Sequence, residues 1–218
     1  MKRLSLVFAL GGALVMGALP ALADNLDRRV RIASDIVANR MESRDSIPDY
    51  VIEQARCVIS IKVVKAGLIW GGSGSTGLVS CRTADGWSAP SFINVSGVSF
   101  GIQIGVQFME SVLVVVSDQG RRILDRANFQ IGTDVSFAAG PVGSGSGKMP
   151  DADILSYQRT RGLYAGATVN GFILSHGKVR NRRAYEGDIS GSTILAIPGS
   201  QAPAVLKEFV DTLETYTP

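Results

Sequence analysis

Few residues in this chain could do chemistry. One histidine, His176, and two cysteines, Cys57 and Cys81, occur in 218 residues. A zinc site needs three or four His, Cys or carboxylate ligands, and a nucleophilic cysteine needs a base beside it. A single imidazole next to Gly177 in a basic stretch provides neither and reads as a surface residue. Asp151 and Asp153 offer two oxygen ligands for calcium, set against the plainer reading of a solvated loop. Gly72–Gly77 (G-S-G-S-T-G) fits the dinucleotide fingerprint, but that motif works at the start of a helix, whose N-terminus receives the pyrophosphate. Here Leu78–Thr83 reads as strand, which makes the glycines a hairpin loop. The phosphate-loop pattern ending at Lys148 fails at Val142 and Met149. These residues predict no metal, no cofactor and no enzyme.

The charges are more informative. From Ile154 to Tyr185 there is no acid, while Arg159, Arg161, Lys178, Arg180, Arg182 and Arg183 supply cations. From Gln54 to Ala84 there is again none, with Arg56, Lys62, Lys65 and Arg82. Acids gather in Glu42–Glu53, Glu110–Asp134 and Glu208–Glu214. Such segregation offers a basic patch to a phosphate-bearing partner. With Arg28, Arg29 and Arg31 on an N-terminal helix, the expected lipid-binding set is Arg28, Arg29, Arg31, Lys62, Lys65, Arg159, Arg161, Lys178, Arg180, Arg182 and Arg183. Solvated loops and strand edges are the bland alternative.

Residues 1–23 have a basic start, the apolar run Leu6–Leu19 and the ending Ala21-Leu22-Ala23, the parts of a secretory signal peptide. The expectation is a cleaved leader and a domain of residues 24–218 that is periplasmic or secreted, with no cysteine near the cut to carry a lipid anchor. Losing Lys2 and Arg3 lowers the formal charge from +3 to +1, so an anionic partner would be met by local patches. An exported protein has little access to nucleic acid, which leaves an anionic phospholipid or membrane surface. Cys57 and Cys81 are either disulfide-bonded or buried as thiols on neighbouring strands.

The elements that must position these residues can be read from periodicity. Asn25–Arg44 is an amphipathic helix with Leu26, Val30, Ala33, Val37 and Met41 on one stripe and arginines beside it, a pattern that also suits an anionic bilayer surface. Ser46 and Asp49 predict a second helix start. Cys57–Val64 and Thr76–Thr83 are strands, the second closed by a turn at Ala84-Asp85-Gly86. Val98 to Phe108 alternates apolar with small or amide residues, one long strand expected to pair with Val112–Val116 after a turn. A membrane helix through Gly97, Gly101 and Gly105 fits this period-2 pattern poorly. Asp118–Ala127 is an exposed helix, Gly177–Glu186 a basic loop or short helix, Ser192–Ile197 a last strand, and Gln201–Tyr216 a C-terminal helix. That order predicts a single α+β domain, a mostly antiparallel sheet or barrel-like core with flanking N- and C-terminal helices.

Several motifs taken in order resemble the signature of the SYLF domain. They are Lys65–Gly72 (K-A-G-L-I-W-G-G), Gly77-Leu78-Val79, Asp85–Phe92 (D-G-W-S-A-P-S-F), Gly101–Gln107, Tyr157–Gly166 and Asn181–Gly187 (N-R-R-A-Y-E-G). The similarity runs from about Ile47 to Ile197; with the leader, the expectation is an exported bacterial member of that family. The resemblance implies a lipid-binding module: eukaryotic members bind phosphoinositides through a basic surface and an N-terminal amphipathic helix, and some bind actin. The motif is mostly glycine and apolar, so it reads as fold-making. The cations above rest on charge segregation alone. A protein-partner module of the cell envelope is the alternative function, its partner unknown.

Overall fold

The computed structural model describes residues 25–67, 70–100, 105–141, 148–161 and 172–217. The predicted leader, residues 101–104 of the predicted central strand, and residues 68–69, 142–147 and 162–171 lie outside these.

Helix α1 (Leu26–Met41) starts where Asn25 accepts the Arg28 amide, a side-chain N-cap. Helix α2 (Asp49–Ile52) is one turn. Its cap is Pro48, not Ser46: the Pro48 carbonyl takes the Val51 and Ile52 amides, and no side chain helps. The strands are β1 (Cys57–Gly67), β2 (Trp70–Thr83), β3 (Gly86–Trp87), β4 (Ser91–Phe100), β5 (Gly105–Val115), β6 (Asn128–Gln130), β7 (Phe137–Ala139), β8 (Ile154–Arg161) and β9 (Ile173–His176). Helices α3 (Asp118–Ile123), α4 (Lys178–Ala184), α5 (Gly191–Ile194) and α6 (Lys207–Tyr216) complete the chain, with 3-10 turns at Gly199–Gln201 and Ala204–Leu206. Pro203, which cannot continue a helix from its own nitrogen, separates those turns and delays α6 beyond the predicted start at Gln201. Ser192–Ile197 is not a strand: Ser190 caps α5 by accepting the Thr193 amide, and that local bond wins over the β-branched composition. No helix among the described residues is long and apolar enough to cross a membrane.

The sheet runs β6-β9-β4-β2-β1-β5-β8-β7, with β3 paired to β2, and every pairing but β7–β8 is antiparallel. It is an α+β domain in which the barrel-like core is an open, curled half-barrel. β4 and β5 do not pair: the β1–β2 hairpin lies between them. The alternation of Val98–Phe108 shows the faces of two strands but not which neighbour each will choose, and Phe108–Val112 is strand interior instead of a turn. Gly72–Gly77 is likewise strand, not hairpin loop. A Cβ on Gly77 would stand 2.2 Å from the Ser60 carbonyl, so this glycine permits the close approach of β1 and β2.

Alternate residues fill two cores. Ile59, Ile61, Val79, Ile93, Leu113 and Leu174 pack with Ile123 and Leu124 inside the curl. Val58, Leu78, Phe92, Val112 and Leu155 face α1 and α6 on the outer side. Val30, Ala33, Ile36 and Val37 of α1 are all buried there, and Ser60 Oγ donates to the Ala33 carbonyl at 2.8 Å. The apolar stripe of α1 is therefore consumed by the core and is not left for a bilayer.

Candidate functional site

The family-like motifs prove to be fastenings. The Trp87 indole donates to the Thr217 carbonyl at 3.0 Å, with the Arg82 guanidinium 4.2 Å from its ring centroid. Ser80 Oγ donates to the Ser88 carbonyl at 2.7 Å, and Ala89 N–H to Ile197. Asn181, fully buried, accepts the Phe92 amide at 2.8 Å and donates to Ser91 at 3.0 Å. The Tyr185 hydroxyl donates to the Pro90 carbonyl at 2.8 Å, and burial pushes this phenol above its ordinary pKa. The N-R-R-A-Y stretch thus pins α4 to the start of β4, and W-S-A-P is tied to the C-terminus.

His176 is half-buried and bonded, not a surface residue. Its Nε2 donates to the Leu124 carbonyl at 2.8 Å, which leaves Nδ1 to accept from Ser91 Oγ at 3.0 Å. Asp153 is also structural. Its carboxylate accepts from the hydroxyls of Ser117 and Ser136 and from the Ser136 amide, tying the α3 cap to the approach of β8. Burial raises its pKa, but those donors outweigh burial and hold it below the ordinary value. No metal-binding group of acids, histidine or cysteines occurs among the described residues. Cys57 and Cys81 stand directly opposite in the β1–β2 register and are joined by a disulfide.

The expected cations divide among three places. Arg28 and Arg31 are exposed on α1, and Arg29 beside them is half-buried. Helix α4 carries Lys178, Arg182 and Arg183 outward, while Arg180 donates to Asn94 at 2.8 Å. Their crowding is partly a helix effect, since Arg182 and Arg183 occupy the last turn, where the carbonyl ends favour positive charge. A cleft beside α4 is lined by Lys178, Arg180, Arg183, Asn94, Asn128 and Ser175.

The third group lies on the outer sheet face, one register step beyond the part that α1 covers. Asn94 pairs with Thr76, Thr76 with Lys62, Lys62 with Glu110, and Glu110 with Arg159. That row spans four interstrand steps, about 19 Å. It places the α4 cations at one end and exposed Arg159 at the other. Lys62 is not unpaired charge: it meets Glu110 at 3.4 Å. Arg159 lines a cleft of about 290 Å³ with Arg40, Asp45, Glu110 and Tyr157. Arg40 is held below its ordinary pKa chiefly by burial, which Asp45 opposes, and burial pushes the Tyr157 phenol up. Lys65 and Arg161 are placed by register only, opposite Gln107 and Phe108 respectively. Arg40, Asn94 and Glu110 were missed as members of this surface; strand parity counted from Lys62 and Arg159 would have indicated Glu110 once the pairing order was known.

Fold and surface together define the class: a single α+β domain that carries aligned charge on an open sheet backed by helices. A protein-family model, Ysc84, described as "Las17-binding protein actin regulator", matches residues 96–216. The chain belongs to this Ysc84, or SYLF, family. It is 31% identical over 177 residues to the SH3 domain-containing YSC84-like protein 1 of Homo sapiens, covering 78% of this chain and 52% of that protein. It is 30% identical over 158 residues to protein YSC84 of Saccharomyces cerevisiae, covering 69% and 34% respectively. An SH3 domain-containing protein of Schizosaccharomyces pombe is 31% identical over 195 residues, 83% of this chain and 45% of the relative. The chain spans about half the length, or less, of these relatives. No solved structure matches it.

Proposed function

We propose that this domain is an exported protein of the bacterial cell envelope that binds anionic phospholipid headgroups through its basic surface, without catalysis. The carrying observation is the alignment of α4, Arg180–Asn94 and the row ending at Arg159 on one sheet face. Phosphate suits such a surface because arginine's planar fork meets two of its oxygens at once. The Cys57–Cys81 disulfide favours an oxidising compartment, in keeping with the predicted leader. A second reading, binding of a protein partner, draws on the family description as a Las17-binding actin regulator.

The test is a variant of α4. Lys178, Arg182 and Arg183 are replaced by Gln, leaving Arg180 because it bonds the sheet. Each cation at an anionic surface contributes on the order of 1 kcal/mol, so affinity for anionic vesicles should fall by about two powers of ten. The melting temperature should scarcely change, because exposed charges seldom hold a fold together. Unchanged vesicle affinity would remove α4 from the site.

A further inference from the structure

The outer sheet face changes character at the next register step. Ile173 pairs with Ser96, Ser96 with Gly74, Gly74 with Val64, Val64 with Phe108, and Phe108 with Arg161. Along this row Ile173 is 44% exposed, Val64 37% and Phe108 45%. The large exposed hydrophobics among the described residues are these three and Val179, which stands on α4 beside the cleft at the polar row. Single exposed apolar residues are ordinary, but three aligned on one row form a surface. Since α1 has spent its apolar stripe on the core, this row is an apolar surface left exposed among the described residues on that side.

Rows on one face are two residues apart along the strand, roughly 7 Å. A row bearing cations with an apolar row at that distance repeats the order of a lipid leaflet, phosphate and then acyl chain. Interfacial segments bury their apolar side by roughly 5–10 Å, a depth that one such step supplies.

We propose that this end of the sheet, led by Phe108, Val64 and Ile173, enters an anionic leaflet while Arg159 and the α4 cations meet its phosphates. The inference rests on the lipid-binding reading and deepens it by naming the inserting edge. Charge selects the occupant. A two-fold contact with a second copy would bring Arg159 and the α4 cations of both chains to one interface, where the acid of the row, Glu110, is already engaged by Lys62. An anionic leaflet supplies the countercharge.

Phe108→Trp provides the test, read as the difference in emission from the parent protein, which has Trp70 and Trp87. On vesicles of equal phosphatidylglycerol and phosphatidylcholine the added indole should shift to the blue and be quenched by brominated acyl chains. Phe108→Ser should bind these vesicles about tenfold more weakly, the loss expected from partial exposure of one aromatic side chain. If the parent binds while the signal of the added indole stays unshifted and unquenched, the protein docks without inserting; the inference fails and the lipid reading stands. If neither protein binds, both fail. A concentration-dependent dimer that Phe108→Ser abolishes, with no quenching by lipid, would show the row to be a self-contact and overturn the inference.

Discussion

Asp153 shows how a residue that looks like a ligand becomes a fastening. Its carboxylate takes three donors from Ser117 and Ser136, and they hold its pKa down despite partial burial. A depressed folded pKa means that the charged form stabilises the fold. That contribution is complete above the unfolded carboxylate value of about 3.9 and is lost as pH falls through the lower folded value. Asp153→Asn, which turns a donor toward two hydroxyls, should cost about 1 kcal/mol at pH 7. The gap from the parent should close as pH falls below about 4. Denaturant unfolding at pH 7 and pH 3 checks this, and a gap of equal size at both would show that the charge is not what matters. His176 teaches the same lesson: nothing in its neighbours in sequence announces Leu124 and Ser91, because both contacts are made by the fold.

At the scale of elements, what was legible depended on whether the signal was local. The stripe on α1 gave its face and nearly its ends, since Asn25 caps it and the apolar positions recur on one side. Strand character was plain for Cys57–Val64 of β1, Thr76–Thr83 of β2 and the parts of β4 and β5 within Val98–Phe108, but not for the glycines Gly72–Gly77 of β2. Pairing order was not legible: Val98–Phe108 carries the same period across β4 and β5, which the β1–β2 hairpin separates. Short elements failed where one side-chain bond decided them, as at Ser190. Attachment of α4 also hangs on one side-chain bond, here between residues far apart in sequence. Asn181 satisfies the buried Phe92 amide, so Asn181→Ala should cost roughly 1–3 kcal/mol and loosen α4 from β4. Amide exchange checks it: the Phe92 N–H should lose protection, and retained protection would refute this account of the motif.

For the whole molecule, the fold gathers Lys178, Arg180 and Arg183, three of the cations singled out by charge segregation, in one cleft. It could not show that Lys62 meets Glu110, or that Arg28 and Arg31 sit on a helix whose apolar side is spent. The outer face that results has cations in line and an apolar row beyond them, which is a surface suited to a charged interface. The partner proposed for it is anionic lipid. Co-sedimentation of the parent protein with vesicles of rising phosphatidylglycerol content, at low and at physiological salt, tests this most directly. Shortening the Debye length from about 30 Å to about 8 Å weakens attraction between exposed charges. Bound fraction should therefore rise with phosphatidylglycerol and fall with salt. Binding that is absent, or indifferent to both lipid charge and salt, would contradict the claim.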